Sequence, residues 1–449
     1  MPDQVALDEL CRSAVEAAAG GEAIEAFAQE SRSREAEARK GEIEGLSSAE
    51  SRGVGVRLIA GEGRLGYAYA ADPSVEEVRR AVAQARENAA LGSPDPENVL
   101  PAAGPIAEMP TIYRSAQAEM PIDRLVRLAL DLEARTVSID PRVTKVEACE
   151  AGDSVSRIAI ASTEGLAASY ERTDTWCVAV TLAEEGDDVQ TGYSYRLGRE
   201  LDELGWEEVA FEAATRAARM LGAEKPPSAK VPVVLDPFAA SSFLGVLSGA
   251  LSAESVQKGR SLFADKMGTG VGSEHVTLVD DGTLLDGPAA APFDDEGVPN
   301  DRTELIAGGE LTAFLHNTYT ARRGDTASTG NASRAGYRSS PGVGTSNFFL
   351  EPGEHDLASL LARAEGGVLV QQVTGVHSGA NPISGTFSVG ATGLRIREGA
   401  VEEGLREMTI ASTIPEMLSG ITAVGSDLRF FSSVGTPSIL IGEMTLGGH

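Results

Sequence analysis

The segment Glu224-Lys-Pro-Pro-Ser-Ala-Lys230 constrains the fold more than any other stretch of the chain. Consecutive prolines remove two backbone donors and push the residue before each into extended geometry, so no helix or central strand can run through this point. Sequence character changes across it. Upstream, helical spacings alternate with extended runs; downstream, short apolar runs are separated by Gly, Asp and Pro turns. At 449 residues the chain is also too long for one ordinary core. The expected fold class is α+β, with a two-layer α/β N-terminal region followed by a β-rich C-terminal domain. The implied boundaries are 1–90 for a first α+β subdomain, 91–120 for a linker, 121–223 for a second α+β subdomain, and 230–449 for the β-rich domain.

Apolar spacing predicts helices over 8–19, 75–88, 122–137 and 203–221, the second capped by Asp72-Pro-Ser74. Extended segments are expected at 22–30 and 53–60, then at 143–150, 155–162 and 166–183, with a further strand carrying Tyr193 and Tyr195. Beyond the boundary, 230–235 has a buried-strand pattern and 237–251 reads as an apolar, small-residue helix. Strands are expected there at 276–279, 367–373, 386–398 and 437–446, and no internal repeat stands out.

The formal net charge is −29. Such a surface repels phosphate, and no basic run exceeds pairs such as Arg79-Arg80, so direct nucleic-acid binding is disfavoured. The acidity is expected to favour peptides of basic character. Apolar runs such as 439–441 fall far short of the roughly 20 residues that cross a bilayer, and no secretory leader is visible. The expected compartment is the cytoplasm, with Cys11, Cys149 and Cys177 as widely spaced reduced thiols.

Several short strings invite a chemical reading. Gly61-x-Gly63-x-x-Gly66 matches a dinucleotide fingerprint, but a strand follows it where a helix is required, so a hairpin turn is expected. Ser255-x-x-Lys258 has the spacing of a serine–lysine nucleophile pair without the accompanying elements. Asn331-Ala-Ser333 is a glycosylation sequon that a cytoplasmic protein leaves unused. The five histidines are His275, His316, His355, His377 and His449. None precedes a glutamate and no two share a helical turn, so no metal site is encoded locally. His377 sits in the loop-like Val376-His-Ser-Gly379.

Longer strings carry a resemblance. Thr318-Tyr-Thr-Ala-Arg322 with Ser328-Thr-Gly-Asn331, then Thr345-Ser-Asn-Phe-Phe-Leu-Glu-Pro-Gly353, follow one another in the C-terminal half. Val376-His-Ser-Gly-Ala-Asn-Pro382 precedes Gly385-Thr-Phe-Ser-Val-Gly390, and Val424-Gly-Ser-Asp-Leu428 and Thr436-Pro-Ser-Ile439 follow. With the hairpin at 53–69 they resemble the TldD/PmbA family along nearly the whole chain, and most of all its TldE/PmbA branch. In the TldD branch, a helix after a strand like 231–235 carries H-E-x-x-x-H, whose histidines bind zinc together with a later cysteine. Here 241–254 holds no histidine and 425–435 no cysteine.

The resemblance therefore implies a metal-free subunit with no catalytic residues of its own. It would pair with a TldD-like, zinc-bearing partner around a chamber that degrades or matures unfolded or short peptides. His377, Ser378, Asn381, Tyr319, Arg322 and Asn331 lie in the family-like loops and are the expected chamber-lining residues. Two competing readings are a chaperone-like peptide-binding homodimer and an independent serine-type hydrolase built on Ser255 and Lys258 or around His377.

Overall fold

The computed structural model describes residues 5–449. The N-terminal region begins with helix α1 (Leu7–Glu16), strands β1 (Ala23–Arg39), β2 (Glu42–Ala60) and β3 (Arg64–Ala71), and helix α2 (Val75–Leu91). After a connection containing α3 (Ser115–Ala118) come α4 (Asp123–Ile139), β4 (Val143–Ser162), β5 (Ala167–Glu185), β6 (Asp188–Gly198) and α5 (Trp206–Arg219). The six strands form one antiparallel sheet in the order β3-β2-β1-β4-β5-β6. The two α+β segments read from the sequence therefore share a sheet, joined where β1 pairs with β4 from Glu25–Ser162 to Ala38–Cys149.

That order is palindromic, and it reveals a repeat that sequence reading missed. Each half is helix, three-stranded meander, helix, related across the β1–β4 seam. Equivalent glycines mark the match. A Cβ on Gly66 of β3 would lie 1.9 Å from the Ala85 carbonyl oxygen of α2, and one on Gly192 of β6 would lie 2.0 Å from that of Ala213 on α5. Helix backbone touches strand backbone at both sites, which only glycine allows.

The strands run further than expected. Residues 31–39 and 42–52 carry little strand signal because they are mostly Glu, Ser, Arg and Ala, poor intrinsic strand formers. The β1–β2 hairpin closes on Lys40 and Gly41 with φ 59° and 76°, a turn whose twist matches paired strands. Buried Asp153 of β4 then takes two hydrogen bonds from the Arg34 guanidinium and stitches the extension together. β4 is likewise one strand where two were expected, its Gly152 lying flat against the Trp176 indole.

One face of the sheet holds the helices. Ile24, Ala26, Ala28 and Val56 pack under α1 and α2, and Ala36, Ala38, Cys149 and Cys177 under α4 and α5. The opposite face, with Phe27, Ile158 and Ile160, packs on Phe293 and Tyr337 of the C-terminal half.

The C-terminal half opens with β7 (Ala229–Leu235), α6 (Pro237–Ala250) and α7 (Ala253–Gln257). Strands β8 (Leu278–Asp281), β9 (Arg302–Ala307) and β10 (Glu310–Leu311), helix α8 (Thr318–Arg323), and strands β11 (Ala332–Ser333), β12 (Gly342–Val343) and β13 (Phe348–Leu350) follow. The chain continues through α9 (Leu357–Arg363), β14 (Val368–Thr374), α10 (Val376–Gly379), β15 (Thr386–Arg397), β16 (Ala400–Thr413) and α11 (Ile414–Gly420). It closes with β17 (Ile421–Val424), β18 (Arg429–Phe431), β19 (Val434–Thr436) and β20 (Ile439–Gly447). Two six-stranded mixed sheets result, ordered β16-β15-β14-β7-β20-β17 and β10-β9-β8-β13-β19-β18. Helix α6 contributes Phe243, Leu244 and Leu247 to the core between them. The architecture is α+β, as expected. Strand β16, which carries Glu402, Glu403, Arg406 and Glu407, was not anticipated; its pairing with β15 and β20 decides it.

Candidate functional site

Helix α6 follows the central strand β7, the position where a metal-binding helix is expected in catalytic relatives. It starts on Asp236, whose carboxylate accepts the Ala239 N–H at 2.8 Å, with Pro237 at the first helical position. Asp236 is buried and also holds Arg216 at 2.7 Å. The inward face is apolar, and the face left partly open carries Ser241, Ser242, Gly245, Ser248 and Gly249. Ser241 and Ser248 each donate to a carbonyl of their own helix, Phe238 and Gly245. This donor set has no imidazole, thiolate or carboxylate and does not fit zinc. Among the described residues no group of three or more His, Cys, Asp or Glu could hold a metal ion.

Nucleophiles fare no better. Lys258 pairs with Glu254, one turn back on α7, rather than with Ser255. Burial pushes the Cys149 and Cys177 thiols up to about 12 and drives that of Cys11 upward as well. All three cysteines are buried and free.

The expected lining residues divide into three places. Tyr319 donates its hydroxyl to Asp95 at 2.9 Å, and Arg322 contacts Glu97 at 3.3 Å, so α8 straps the inter-segment connection to the C-terminal half. Asn331 is buried in the wall of a cavity of about 330 Å³ between the sheet and the C-terminal loops. Its amide nitrogen donates to Asp280 at 2.6 Å and its oxygen accepts from the Thr329 hydroxyl at 2.6 Å. His377, Ser378 and Asn381 are exposed on the β14–β15 connection and line neither this cavity nor the larger one described below. Asn381 is occupied locally, accepting the Ile383 and Ser384 N–H groups. The six residues thus do not form one cluster.

Sequence reading missed a charged knot that joins the two halves. Arg57 of β2 reaches Glu25 of β1 at 2.5 Å and Glu296 of the C-terminal half at 2.6 Å, and Arg334 pairs with Glu25 from the other side. All four are buried, and the Arg334 guanidinium also lies 4.8 Å over the Phe27 ring. Burial acts to raise the Glu296 carboxyl, but Arg57 and the Thr318 N–H outweigh it and hold it below the usual range. Neighbouring Asp294 is pushed up to about 8 by burial and by the Glu296 charge, while it accepts the N–H groups of Ala332, Glu296 and Val298. The available signal was the run Asp294-Asp-Glu296 before Gly297, whose φ of 81° demands glycine. Three acids in an otherwise apolar, turn-rich stretch call for buried partners.

A second cavity, of about 600 Å³, lies where two sheets end. β6 is the edge of the N-terminal sheet and β18 the edge of a C-terminal one, and both contribute to its wall. Arg114, Arg172, Arg196, Arg199 and Arg429 line it, against Asp174, Glu203 and Asp286. Arg429 bridges the edges, donating to the Tyr195 carbonyl at 2.7 Å and to Glu212 at 2.8 Å.

Comparison with known proteins fits this three-part arrangement. Residues 24–89, 116–221 and 228–448 match the first, central and C-terminal domains of the PmbA/TldA metallopeptidases. The chain is 27% identical to the metalloprotease PmbA of Escherichia coli O157:H7 over 446 residues, covering 99% of this chain and 96% of the relative. A crystal structure from Thermotoga maritima, described as that of a candidate modulator of a DNA gyrase, superposes with a TM-score of 0.89 at 27% identity, covering 98% of this chain and 99% of that one. TldE from Thermococcus kodakarensis superposes with a TM-score of 0.89 at 26% identity, covering 99% and 100% of the two chains. With all three domains matched in order, the chain belongs to the PmbA/TldD family.

Proposed function

We propose that this protein is the metal-free subunit of a two-subunit metalloprotease, paired with a TldD-like chain that supplies the zinc and cuts unfolded or short peptides. The observation that carries the reading is the open face of α6. Where a zinc helix would present ligands, this one presents Ser241, Ser242, Gly245, Ser248 and Gly249. The α6 scaffold is otherwise intact, capped by Asp236 and packed through Phe243, so the helix has kept its place while lacking metal chemistry. The expected setting is the cytoplasm; no helix among the described residues is long and apolar enough to cross a membrane.

Zinc content of the purified chain, measured by elemental mass spectrometry after dialysis against a weak chelator, tests the first half. Well below one zinc per chain is expected, and near one tightly held zinc would overturn the reading. Mixing with a TldD-like subunit tests the second half: peptide cleavage should require both chains and vanish when the partner's metal ligands are mutated. His377, Ser378 and Asn381 are exposed and free of core duties, so they are the better chamber-lining candidates. His377→Ala should lower partner-dependent cleavage without preventing assembly, and unchanged cleavage would remove it from the chamber.

A further inference from the structure

Strand β2 outruns its neighbour. β3 pairs only with residues 53–60, so residues 42–52 are bonded to β1 on one side and to no strand on the other. Successive residues of a strand turn their main-chain groups to alternate sides. Asp72 donates its N–H to the Arg52 carbonyl at 2.8 Å from the β3 side, so Leu46, Ser48 and Glu50, in step with Arg52, also turn N–H and C=O outward. No main-chain partner meets them among the described residues. The bulge at Glu37 and Ala38 guards the hairpin tip, but the run Gly45-Leu-Ser-Ser-Ala49 carries no charge and no proline, and Leu46 is 56% exposed. Such an edge is a template for another extended chain.

The duplicated half shows the contrast. With Gly66 matched to Gly192, the counterpart of Glu50 is Thr173 of β5. The Thr173 carbonyl is taken by the Arg199 guanidinium at 3.3 Å, and Arg199 also donates to the Gly287 carbonyl of the C-terminal half. The chain thus closes one copy of this edge itself and leaves the other open.

The neighbouring sheet face decides the chemistry of an occupant. A Cβ on Gly45 would lie 3.4 Å from the Glu37 carboxylate, so Gly45, Ser47 and Ala49 share the face that carries Glu35 and Glu37 of β1. Glu150 of β4 stands directly opposite Glu37. These three glutamates have no ion pair among the described residues, and like charges set opposite each other are unfavourable. Burial, with Glu35 and Glu37 nearby, holds the Glu150 carboxyl above its ordinary range. The ribbon's cations are engaged elsewhere: Arg34 with Asp153, Arg52 with Glu30, Arg39 with Glu44, and Arg32 opposite Glu50. Lys40 stands at the exposed turn, two residues from Glu42. A strand added at the edge would lie about 4.8 Å from β2 and about 9.6 Å from β1. A lysine or arginine on it can pass over the small Ser47 and Ala49 side chains to reach Glu35 and Glu37.

We propose that the open edge of β2 takes up an extended basic peptide as a strand in line with β3, main chain bonded to Leu46, Ser48 and Glu50 and cationic side chains paired with Glu35 and Glu37. It rests on the reading above for the peptide nature of the occupant and narrows that peptide to basic sequences. Main-chain bonds supply affinity without regard to sequence, and the acidic face supplies the preference.

The test is calorimetric titration of the full chain with an acetylated, amidated heptapeptide of alternating lysine and valine. The controls are its glutamate–valine counterpart and a lysine–valine copy N-methylated at every residue. The lysine peptide should bind saturably, at least about tenfold tighter than either control, with affinity falling as salt rises. Ser48→Pro removes an outward N–H that β1 does not use, and should weaken binding about tenfold. Glu35→Gln combined with Glu37→Gln should weaken it severalfold without lowering the melting temperature, since like charges are removed. Equal binding of either control peptide, or unchanged affinity in both variants, would overturn the proposal. So would a chain that binds no peptide and forms a dimer that Ser48→Pro dissociates, because the edge would then belong to a second copy. Partner-dependent cleavage is a separate readout: its absence would undo the subunit reading and leave a measured peptide-binding edge standing, whereas peptide binding untouched by these variants would remove the edge alone.

Discussion

Replacing Arg57 by methionine removes a buried guanidinium that grips Glu25 with one arm and Glu296 with the other. Glu25 keeps Arg334, but Glu296, which is fully buried, keeps only Thr318. Each lost charge-assisted hydrogen bond is worth about 1.5–3 kcal/mol. Breaking a buried pair by removing one partner costs about 3–5 kcal/mol, because the other charge is stranded. The expected loss for Arg57→Met is therefore about 3–5 kcal/mol, read from the urea midpoint by circular dichroism at constant m. Adding Glu296→Gln should restore part of it, since a neutral amide tolerates the site better, giving a favourable coupling of about 1–3 kcal/mol.

The pH dependence has a definite sign. In the native protein the Glu296 carboxyl lies below its unfolded value. Its contribution is thus present above the ordinary glutamate range, near pH 4.3, and lost as pH falls through the lower folded value. Without Arg57, burial dominates and raises the carboxyl above its unfolded value, so the variant's deficit should shrink as pH falls from 7 towards 5. A deficit below about 1 kcal/mol, or a double variant as weak as the two single losses summed, would refute the claim that this knot ties the two halves together.

Three other outcomes are expected. Gly66→Ala and Gly192→Ala should each destabilise the fold by about 1–3 kcal/mol or more, since the new Cβ would press on a helix carbonyl oxygen; a thermal melt unchanged by either would contradict the close approach. The three cysteines should resist Ellman's reagent at pH 8 until denaturant is added, because all are buried and the thiolate form is suppressed; rapid modification of the native protein would show otherwise. Tyr319→Phe should cost under about 1.5 kcal/mol in a melt yet speed limited proteolysis between residues 92 and 109, because its hydroxyl ties Asp95 to α8. An unaltered digestion pattern would mean the strap is not what holds the connection.

Much of this protein is fixed by local chemistry that any reader of the chain can see. The Pro226-Pro227 break precedes β7, Ser74 and Glu77 form the capping box that starts α2, and Asp236-Pro237 starts α6. The lack of metal ligands on α6 is equally a matter of residue types, legible without coordinates. What remained hidden depends on partners far away in sequence. Residues 31–39 and 42–52 are poor strand formers, and they extend because they pair with each other and with β4. Glu25, Arg57 and Arg334 read as ordinary surface charges, since nothing local says that folding brings residues 25 and 334 together in a dry interface. The palindromic duplication is invisible because only backbone geometry and a pair of glycines preserve it. The arginine-lined cavity exists only where the edges of two sheets meet, so no local run in the chain announces it. Sequence determines what a residue can do within a few ångströms of its own backbone; which charges face one another across a sheet is decided by the tertiary fold.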